Sequence, residues 1–345
     1  MNKGTHIVVA ALTLGQINAL ALADGPQTSA PTELSGLAAI RAEARAAVKL
    51  VQTELARSFL AAADDLSPPT PRTIYRDQKR KYITAAQFAA LPAGEQKDLS
   101  PIEVTEDLYY TTKYGTPLAY VRPLEILGRE GVKSFARTRT LDFGYGGIGP
   151  PRLFALLGAD AVGVDVDPLL PVLYSQSEDQ GPVRDRDGKI AGRVTLLHGH
   201  WPGDEKVRKA AGNGFDLILS KNTLKNGYLH PERPVDKRML VDLGVSEEEF
   251  VKALFDSLRP GGHVMIYNIS PAPAPPDKPY IPWADGRCPF PRKMLEAAGF
   301  RVLKFDEDDS KAVREMARAF GWDTGEHPMD LENDLFAHYT LLLGK

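Results

Sequence analysis

Thr140-Leu-Asp-Phe-Gly-Tyr-Gly-Gly-Ile-Gly149 is the stretch of this chain that decides its fold. An apolar segment with helical character follows at residues 152–159, and a second apolar run then ends in acid, Ala161-Val-Gly-Val-Asp-Val-Asp-Pro168. This order is that of a strand, a glycine-rich turn, a helix and a second strand. Glycines let the backbone approach a ligand, and a helix N-terminus offers free N–H groups. The sequence therefore predicts a Rossmann-like site for a nucleotide-like cofactor.

Two kinds of cofactor compete for this turn. Gly144, Gly146 and Gly149 fit the dinucleotide pattern G-x-G-x-x-G, with Asp165 at about the expected spacing. Asp142 favours the other cofactor, because D-x-G-x-G directly after a strand resembles motif I of the class I S-adenosylmethionine (SAM)-dependent methyltransferases. In that family the turn holds the amino-acid end of SAM, and the acid after the next strand binds the ribose hydroxyls. A glycine-rich turn that binds no ligand is a third alternative.

The C-terminal part of the chain resembles the same family over about residues 105–345. Its matching segments follow in the family's order: a third strand at residues 193–201, the "FDLI" strand at 214–220, a helix and an L-R-P-G-G turn at 250–262, a fifth strand at 263–268, an "LxxAGF" helix at 292–300, and a final strand pair at 300–305 and 338–343. An ordered set is more specific than any single motif. The resemblance implies an α/β fold with a doubly wound, seven-stranded, mostly parallel sheet.

Three parts of the chain are predicted. Residues 1–23 fit a cleaved secretory signal, because Lys3 precedes an apolar run at residues 7–14 and Ala21-Leu-Ala23 fits a cleavage site; a buried helix or a misplaced start is the alternative. Residues 24–104 are expected to be a linker and a helical N-terminal extension, with one long helix at about residues 34–63. A methyltransferase-like domain is expected over residues 105–345.

The signal-like segment conflicts with the cofactor that the resemblance implies. Cleavage predicts an exported or periplasmic protein without an integral membrane anchor, whereas an uncleaved chain would be cytoplasmic. SAM is made and held in the cytosol, so an exported protein would need a cofactor supply, another ligand or no activity. Both observations therefore stay open at the level of the sequence.

Composition excludes several classes of function. The chain has 345 residues, of which 43% are hydrophobic and 25% charged, and its net charge is −3, so no global electrostatic attraction to nucleic acid is expected. The single cysteine, Cys288, rules out an intramolecular disulfide and a cysteine-based zinc site, and is expected to be a packed small residue. His198 and His200 form an H-x-H pair, but a metal site would need a third ligand, and none is predicted.

The resemblance assigns a set of residues to the cofactor. They are Asp142, Gly144, Gly146, Gly149, Asp165, His200, Trp201 and Ser220. His200 stands where the family usually has an acid that accepts the adenine amino group; a neutral imidazole can accept one hydrogen bond, and Trp201 could stack on adenine. Ile148 stands where many relatives have a further glycine. Weaker cofactor binding, or another ligand, is therefore an open alternative.

The residues that act on the methyl acceptor are less well marked. Methyl transfer needs alignment and exclusion of water more than a fixed base, so the catalytic residues stay unknown, with Tyr110, Tyr228 and His230 as candidates. The tyrosines 109, 110 and 114 are expected to line the pocket or to pack as a hinge. Residues 221 and 222 leave the sheet at the edge that faces the cofactor crevice.

The predicted function is methyl transfer from SAM to an oxygen, nitrogen or carbon of an unidentified small molecule. The first alternative is an exported, non-catalytic binding protein with a methyltransferase fold. The second is an NAD-dependent oxidoreductase, which G-x-G-x-x-G alone supports.

Overall fold

A doubly wound α/β sheet forms the centre of the protein. The computed structural model describes residues 35–79 and 81–344. The predicted signal segment and most of the linker lie outside these residues. The strands are β1 (Thr73–Arg76), β2 (Tyr82–Thr84), β3 (Ser100–Glu103), β4 (Arg139–Phe143), β5 (Asp160–Asp165), β6 (Gly181–Arg184), β7 (Ile190–His198), β8 (Phe215–Lys221), β9 (Leu258–Ser270), β10 (Arg301–Asp308) and β11 (Phe336–Leu343).

Helices cover both faces of this sheet. They are α1 (Gly36–Ala47), α2 (Glu54–Ala61), α3 (Ala85–Ala89), α4 (Ala93–Gln96), α5 (Glu106–Tyr110), α6 (Val121–Arg129), α7 (Gly149–Leu156), α8 (Leu170–Leu173), α9 (Glu205–Ala211), α10 (Asn226–Leu229), α11 (Glu247–Ser257), α12 (Arg292–Ala297), α13 (Ser310–Ala319) and α14 (Leu331–Asp334). Among the described residues, no helix combines the length and apolar character that crossing a membrane requires.

The large sheet has the strand order β10-β11-β9-β8-β4-β5-β7-β6. The pairs β4–β5, β4–β8, β5–β7 and β8–β9 are parallel, whereas β11 pairs antiparallel with both β9 and β10. The predicted fold class is therefore confirmed, with β6 added as an eighth strand antiparallel to β7. The order reverses between β4 and β8, and this switch point is where open α/β sheets bind ligands.

Each face of the sheet has its own apolar core. In β8, Leu217 and Leu219 belong to the core that also contains the N-terminal helices, whereas Ile218 belongs to the core on the opposite face. Side chains alternate between the faces of a strand, so every residue of the switch point can be assigned to one face. The strands of a parallel sheet that is buried on both faces have continuous apolar runs in their sequences, as these strands do.

The predicted long helix over residues 34–63 is wrong, because two helices occupy this region. Helix α1 ends at Ala47 and α2 begins at Glu54, with Thr53 as its N-cap. The buried carboxylate of Glu125 accepts hydrogen bonds from the backbone N–H groups of Gln52 and Thr53, both at 3.1 Å. A distant acid therefore satisfies donors that a continuous helix would have used.

The segment between the N-terminal helices and the main sheet contains a small antiparallel sheet of order β2-β1-β3 that the sequence did not reveal. The same segment contains the short helix α3, which begins with a capping box between Thr84 and Gln87.

A buried ion pair joins this region to the main sheet. Arg72 donates to both carboxylate oxygens of Asp179, at 2.5 and 2.8 Å, and Tyr109 donates to the same carboxylate at 2.8 Å. The two charged side chains are 7% and 0% exposed. A buried, bidentate ion pair of this kind strongly fixes the relative position of its two partners.

We expect Arg72→Met to lower the free energy of unfolding by about 3–5 kcal/mol, because it leaves the Asp179 carboxylate buried without its cation. Arg186→Met is the matched control, since the exposed Arg186–Asp65 pair also joins the N-terminal region to the sheet. The free energy of unfolding of the Arg186→Met variant should change little. Urea unfolding followed by circular dichroism measures both, and equal effects of the two variants would show that the buried pair is not a special anchor.

Candidate functional site

The glycine-rich turn leaves the carboxyl end of β4 at the switch point. Gly144 and Gly146 have φ angles of +74° and +61°, which favour glycine over residues with a side chain. A Cβ atom at Gly144 would collide with Thr223, and one at Gly146 would lie 2.6 Å from the ring of Tyr114. Gly149 is the first residue of α7. The turn therefore needs its first two glycines for both conformation and space.

Asp165 ends β5 and holds the turn from the side. Its Oδ2 accepts from the backbone N–H of Gly146 at 3.0 Å, and its Oδ1 accepts from that of Asp167 at 2.8 Å. Burial raises the pKa of Asp165 above its usual value, although these two donors oppose the shift. A carboxylate oxygen has more than one acceptor position, so Asp165 can still accept from a ligand hydroxyl.

Asp142 lies beneath the turn with half of its carboxyl group unpaired. The residue is 1% exposed, and Oδ1 accepts from the hydroxyl of Tyr120 at 3.1 Å. Oδ2 is buried and has no hydrogen-bond partner among the described residues. Burial raises the pKa of Asp142 to about 7, while the bond from Tyr120 and the charge of Lys221 oppose the shift.

Lys221, at the carboxyl end of β8, lies on the same face of the sheet as Asp142. It is 8% exposed, and its ammonium group lies 5.3 Å from the centre of the Tyr120 ring. Burial lowers the pKa of Lys221 to about 8, and the charge of Asp142 opposes the shift. The sequence placed Lys221 at the crevice but missed Tyr120, whose position before β4 carried no motif.

Tyr114 covers the turn, whereas its two predicted companions do not. Its ring lies over Gly146, and its hydroxyl donates to Asp167 at 3.1 Å. Tyr110 is 1% exposed, and its hydroxyl donates to the backbone oxygen of Ser67 at 2.6 Å. The interpretation of Tyr110 as a catalytic candidate is therefore corrected, because its hydroxyl is buried and committed to the N-terminal segment, as that of Tyr109 is to Asp179.

Trp201 also needs a correction. The side chain is 1% exposed and packs in the core opposite the N-terminal helices, with ring centroids 6.2 Å from Phe143 and 5.8 Å from Phe250. A ring enclosed in this way has no open face on which adenine could stack. His200 is exposed and lies beside Gly244. Within the described part of the chain, no group of three His, Cys, Asp or Glu residues is placed to hold a metal ion.

Ser220 faces away from Asp142. It alternates with Lys221 along β8, and its hydroxyl accepts from the backbone N–H of Leu224 at 3.3 Å. Its predicted contact with the cofactor is therefore corrected to a role in the turn after β8. Lys225 anchors the same segment, because its ammonium donates to the backbone oxygens of Ile269 and Trp283, at 2.5 and 3.0 Å.

Tyr228 and His230 are the remaining catalytic candidates. Tyr228 is half-buried, and burial raises its pKa to about 12. His230 is exposed, with its Nε2 at 3.1 Å from the backbone oxygen of Pro289 and 3.4 Å from Glu247. No contact of the His230 ring involves the glycine-rich turn. Cys288 is buried, and burial raises its thiol pKa to about 12, which fits a packed residue and not a nucleophile.

A cleft of about 520 Å³ opens next to Asp165, which pairs with His198 of the neighbouring strand. Tyr145, Tyr174 and Leu196 line the apolar part of this cleft, and His198 lies at its border. Its volume is that of a pocket for a small organic ligand.

Comparison with known proteins gives similarities of fold only. No protein-family model matches the chain, and no curated protein matches it. Among solved structures, phosphoethanolamine N-methyltransferase 2 of Haemonchus contortus, in complex with phosphomonomethylethanolamine and S-adenosylhomocysteine, is 13% identical with a TM-score of 0.37, and the match covers 86% of this chain and 75% of that one.

Two further structures are similar to a smaller part of the chain. The arsenic(III) SAM methyltransferase of Chlamydomonas reinhardtii is 17% identical with a TM-score of 0.33, covering 62% of this chain and 66% of that one. The cyclase SpnF is 17% identical with a TM-score of 0.37, covering 65% and 80%. At these values the similarities support no conclusion about activity. Such a conclusion has to rest on the arrangement of residues at the switch point.

The pKa of Asp142 gives a prediction for stability. The unfolded carboxyl releases its proton near pH 4, whereas the folded one keeps it to about pH 7. Between about pH 4 and pH 7 the folded state therefore binds more protons than the unfolded state does. The Asp142 carboxyl then makes the free energy of unfolding fall as the pH rises. We expect Asp142→Asn to gain thermal stability relative to the unmodified protein between pH 5 and pH 8, measured by calorimetry. The pH 5 value is the internal control, and a difference in Tm independent of pH would contradict the buried-acid assignment.

Proposed function

We propose that this protein transfers a methyl group from SAM to a small molecule. The observation that carries the proposal is the cluster at the switch point, where a glycine-rich turn, the half-unpaired carboxyl of Asp142 and the partly buried carboxylate of Asp165 meet at one sheet edge. A dinucleotide site requires the glycines and Asp165, but it gives no role to a second buried acid beneath the turn.

The residues of this cluster fit the chemical groups of SAM. The unpaired Oδ2 of Asp142 suits an ammonium group, because a buried carboxylate without a donor is unfavourable. Asp165 can accept from vicinal ribose hydroxyls while it keeps its bonds to the turn. Gly144 and Gly146 have no side chains, so the part of SAM between its ammonium group and its ribose can pass close to the backbone of the turn.

The cleft beside Asp165 suits the nucleoside end. It adjoins the acid that would hold the ribose, and Tyr145 and Leu196 give it apolar surface for a planar base. The buried Trp201 cannot contribute. His200 is exposed near the same strand end, and its contact with adenine stays a prediction.

Bound SAM would supply an electrophilic methyl group on a sulfonium that is already a good leaving group. The protein's own residues then need to align the acceptor and exclude water. Tyr114 covers the glycine-rich turn and suits the second task, with its hydroxyl held by Asp167. Tyr228 lies near enough to Tyr114 to interact with it electrostatically, and we propose that it orients the acceptor.

The test of this proposal is calorimetric titration with S-adenosylhomocysteine, the demethylated product. We expect the unmodified protein to bind it, and Asp165→Ala to weaken binding by about tenfold to a hundredfold, since a hydrogen bond to a charged group contributes about 1.5–3 kcal/mol. Asp160→Ala is the matched control, because Asp160 begins the same strand and pairs with Arg139 at the opposite edge of the sheet. Its affinity should be unchanged.

Asp165→Asn distinguishes a loss of ligand binding from a loss of folding. The amide oxygen of asparagine can still accept a hydrogen bond from the backbone N–H of Gly146 or Asp167, so the turn keeps part of its support. Absence of S-adenosylhomocysteine binding by the folded, unmodified protein would overturn the proposal. Quenching of NADH fluorescence in that same sample would instead favour a dinucleotide-dependent oxidoreductase.

A further inference from the structure

Lys221 is a buried cation without a hydrogen-bonded or ion-paired partner. It is 8% exposed, and among the residues that the structure describes its ammonium forms no hydrogen bond and no salt bridge. Its contacts are the ring of Tyr120, at 5.3 Å, and the longer-range charge of Asp142. A buried ammonium in this state is unfavourable unless a further group of opposite charge completes its surroundings.

The second buried lysine shows what a structural role looks like. Lys225, four residues later, donates to the backbone oxygens of Ile269 and Trp283 and lies 3.3 Å from the hydroxyl of Ser270. Its donors are satisfied within the protein. By contrast, the donors of Lys221 have no hydrogen-bond acceptor within residues 35–79 and 81–344.

The unpaired lysine and the unpaired acid lie next to each other. Leu219 of β8 is in register with Asp142 of β4, and Lys221 follows Leu219 on the same face of the sheet. Oδ2 of Asp142 has no donor, and the Lys221 ammonium has no acceptor, yet the two form no salt bridge with each other within the described residues. The site therefore presents an acid and a cation on one face of the sheet that do not pair with each other.

An α-amino acid has the complementary pair of charges on a single carbon atom. We propose that Lys221 binds the α-carboxylate at the amino-acid end of the cofactor, while Asp142 accepts from its α-ammonium. This assignment rests on the proposed function. The pair then matches the amino-acid end of the ligand, because one acid and one lysine face its one positive charge and its one negative charge.

The assignment makes Lys221 a specificity-determining residue. A ligand with the ammonium but without the carboxylate would leave the Lys221 cation buried and unpaired, and sites built for a charged partner reject analogues that lack it. Discrimination between ligands that differ in this carboxylate alone is therefore the property that Lys221 controls.

The experiment compares two ligands by calorimetry at pH 7. One is S-adenosylhomocysteine, and the other is 5′-deoxy-5′-(3-aminopropylthio)adenosine, which differs from it by the carboxylate. We expect the unmodified protein to bind S-adenosylhomocysteine at least tenfold more tightly. Lys221→Met, which keeps an unbranched side chain one atom shorter and without the charge, should bind the two ligands within about threefold of each other. Its affinity for the decarboxylated ligand should not fall.

Three results would overturn the inference. Equal affinity of the unmodified protein for both ligands would do so without any variant. A Lys221→Met protein that keeps the full preference, or that loses affinity for both ligands equally, would show that Lys221 does not read the carboxylate. In all three cases S-adenosylhomocysteine still binds the unmodified protein, so the proposed function survives; binding of neither ligand by that protein would overturn both.

Discussion

Burial of charge at the switch point is the constraint on which the site depends. Asp142, Asp165 and Lys221 lie at the carboxyl ends of three neighbouring strands, on one face of the sheet, and Asp142 and Lys221 are buried there. Desolvation raises the pKa of the Asp142 carboxyl and lowers that of the Lys221 ammonium, which means that the fold keeps both groups in an unfavourable state. Unfavourable groups of this kind are concentrated at functional sites.

The segment between the small sheet and β4 forms a wall of this site. Tyr120, just before α6, bonds to Asp142 and lies under Lys221, and Tyr114 covers the glycine-rich turn. The Arg72–Asp179 pair and the bonds to Glu125 fix this region to the core. Residues within the range 24–104 therefore support this wall from outside the cluster, through bonds such as that from Tyr110 to Ser67, and the domain boundary at 104/105 stays a prediction.

The sequence predicted the sheet well because its strands are continuous apolar runs that end in recognisable motifs. It also predicted the glycine-rich turn and the place of Asp165 at the end of its strand, whereas the role of Asp165 in binding stays a prediction. It failed where a distant residue decides the local structure: Glu125 interrupts the helix expected over residues 34–63, and the aromatic core encloses Trp201. The interpretation of Tyr110 as a catalytic candidate failed because a tyrosine-rich stretch does not reveal which of its rings are buried. The pairing of Asp142 with Lys221 required the strand order, which places residues 79 positions apart on neighbouring strands.

The most direct measurement of the central claim is a crystal structure of the protein grown with S-adenosylhomocysteine. The account predicts electron density for the ligand along Gly144 and Gly146, with the ribose hydroxyls at Asp165 and the amino-acid end between Asp142 and Lys221. Density for the ligand at another place, or an empty turn at saturating ligand, would contradict it.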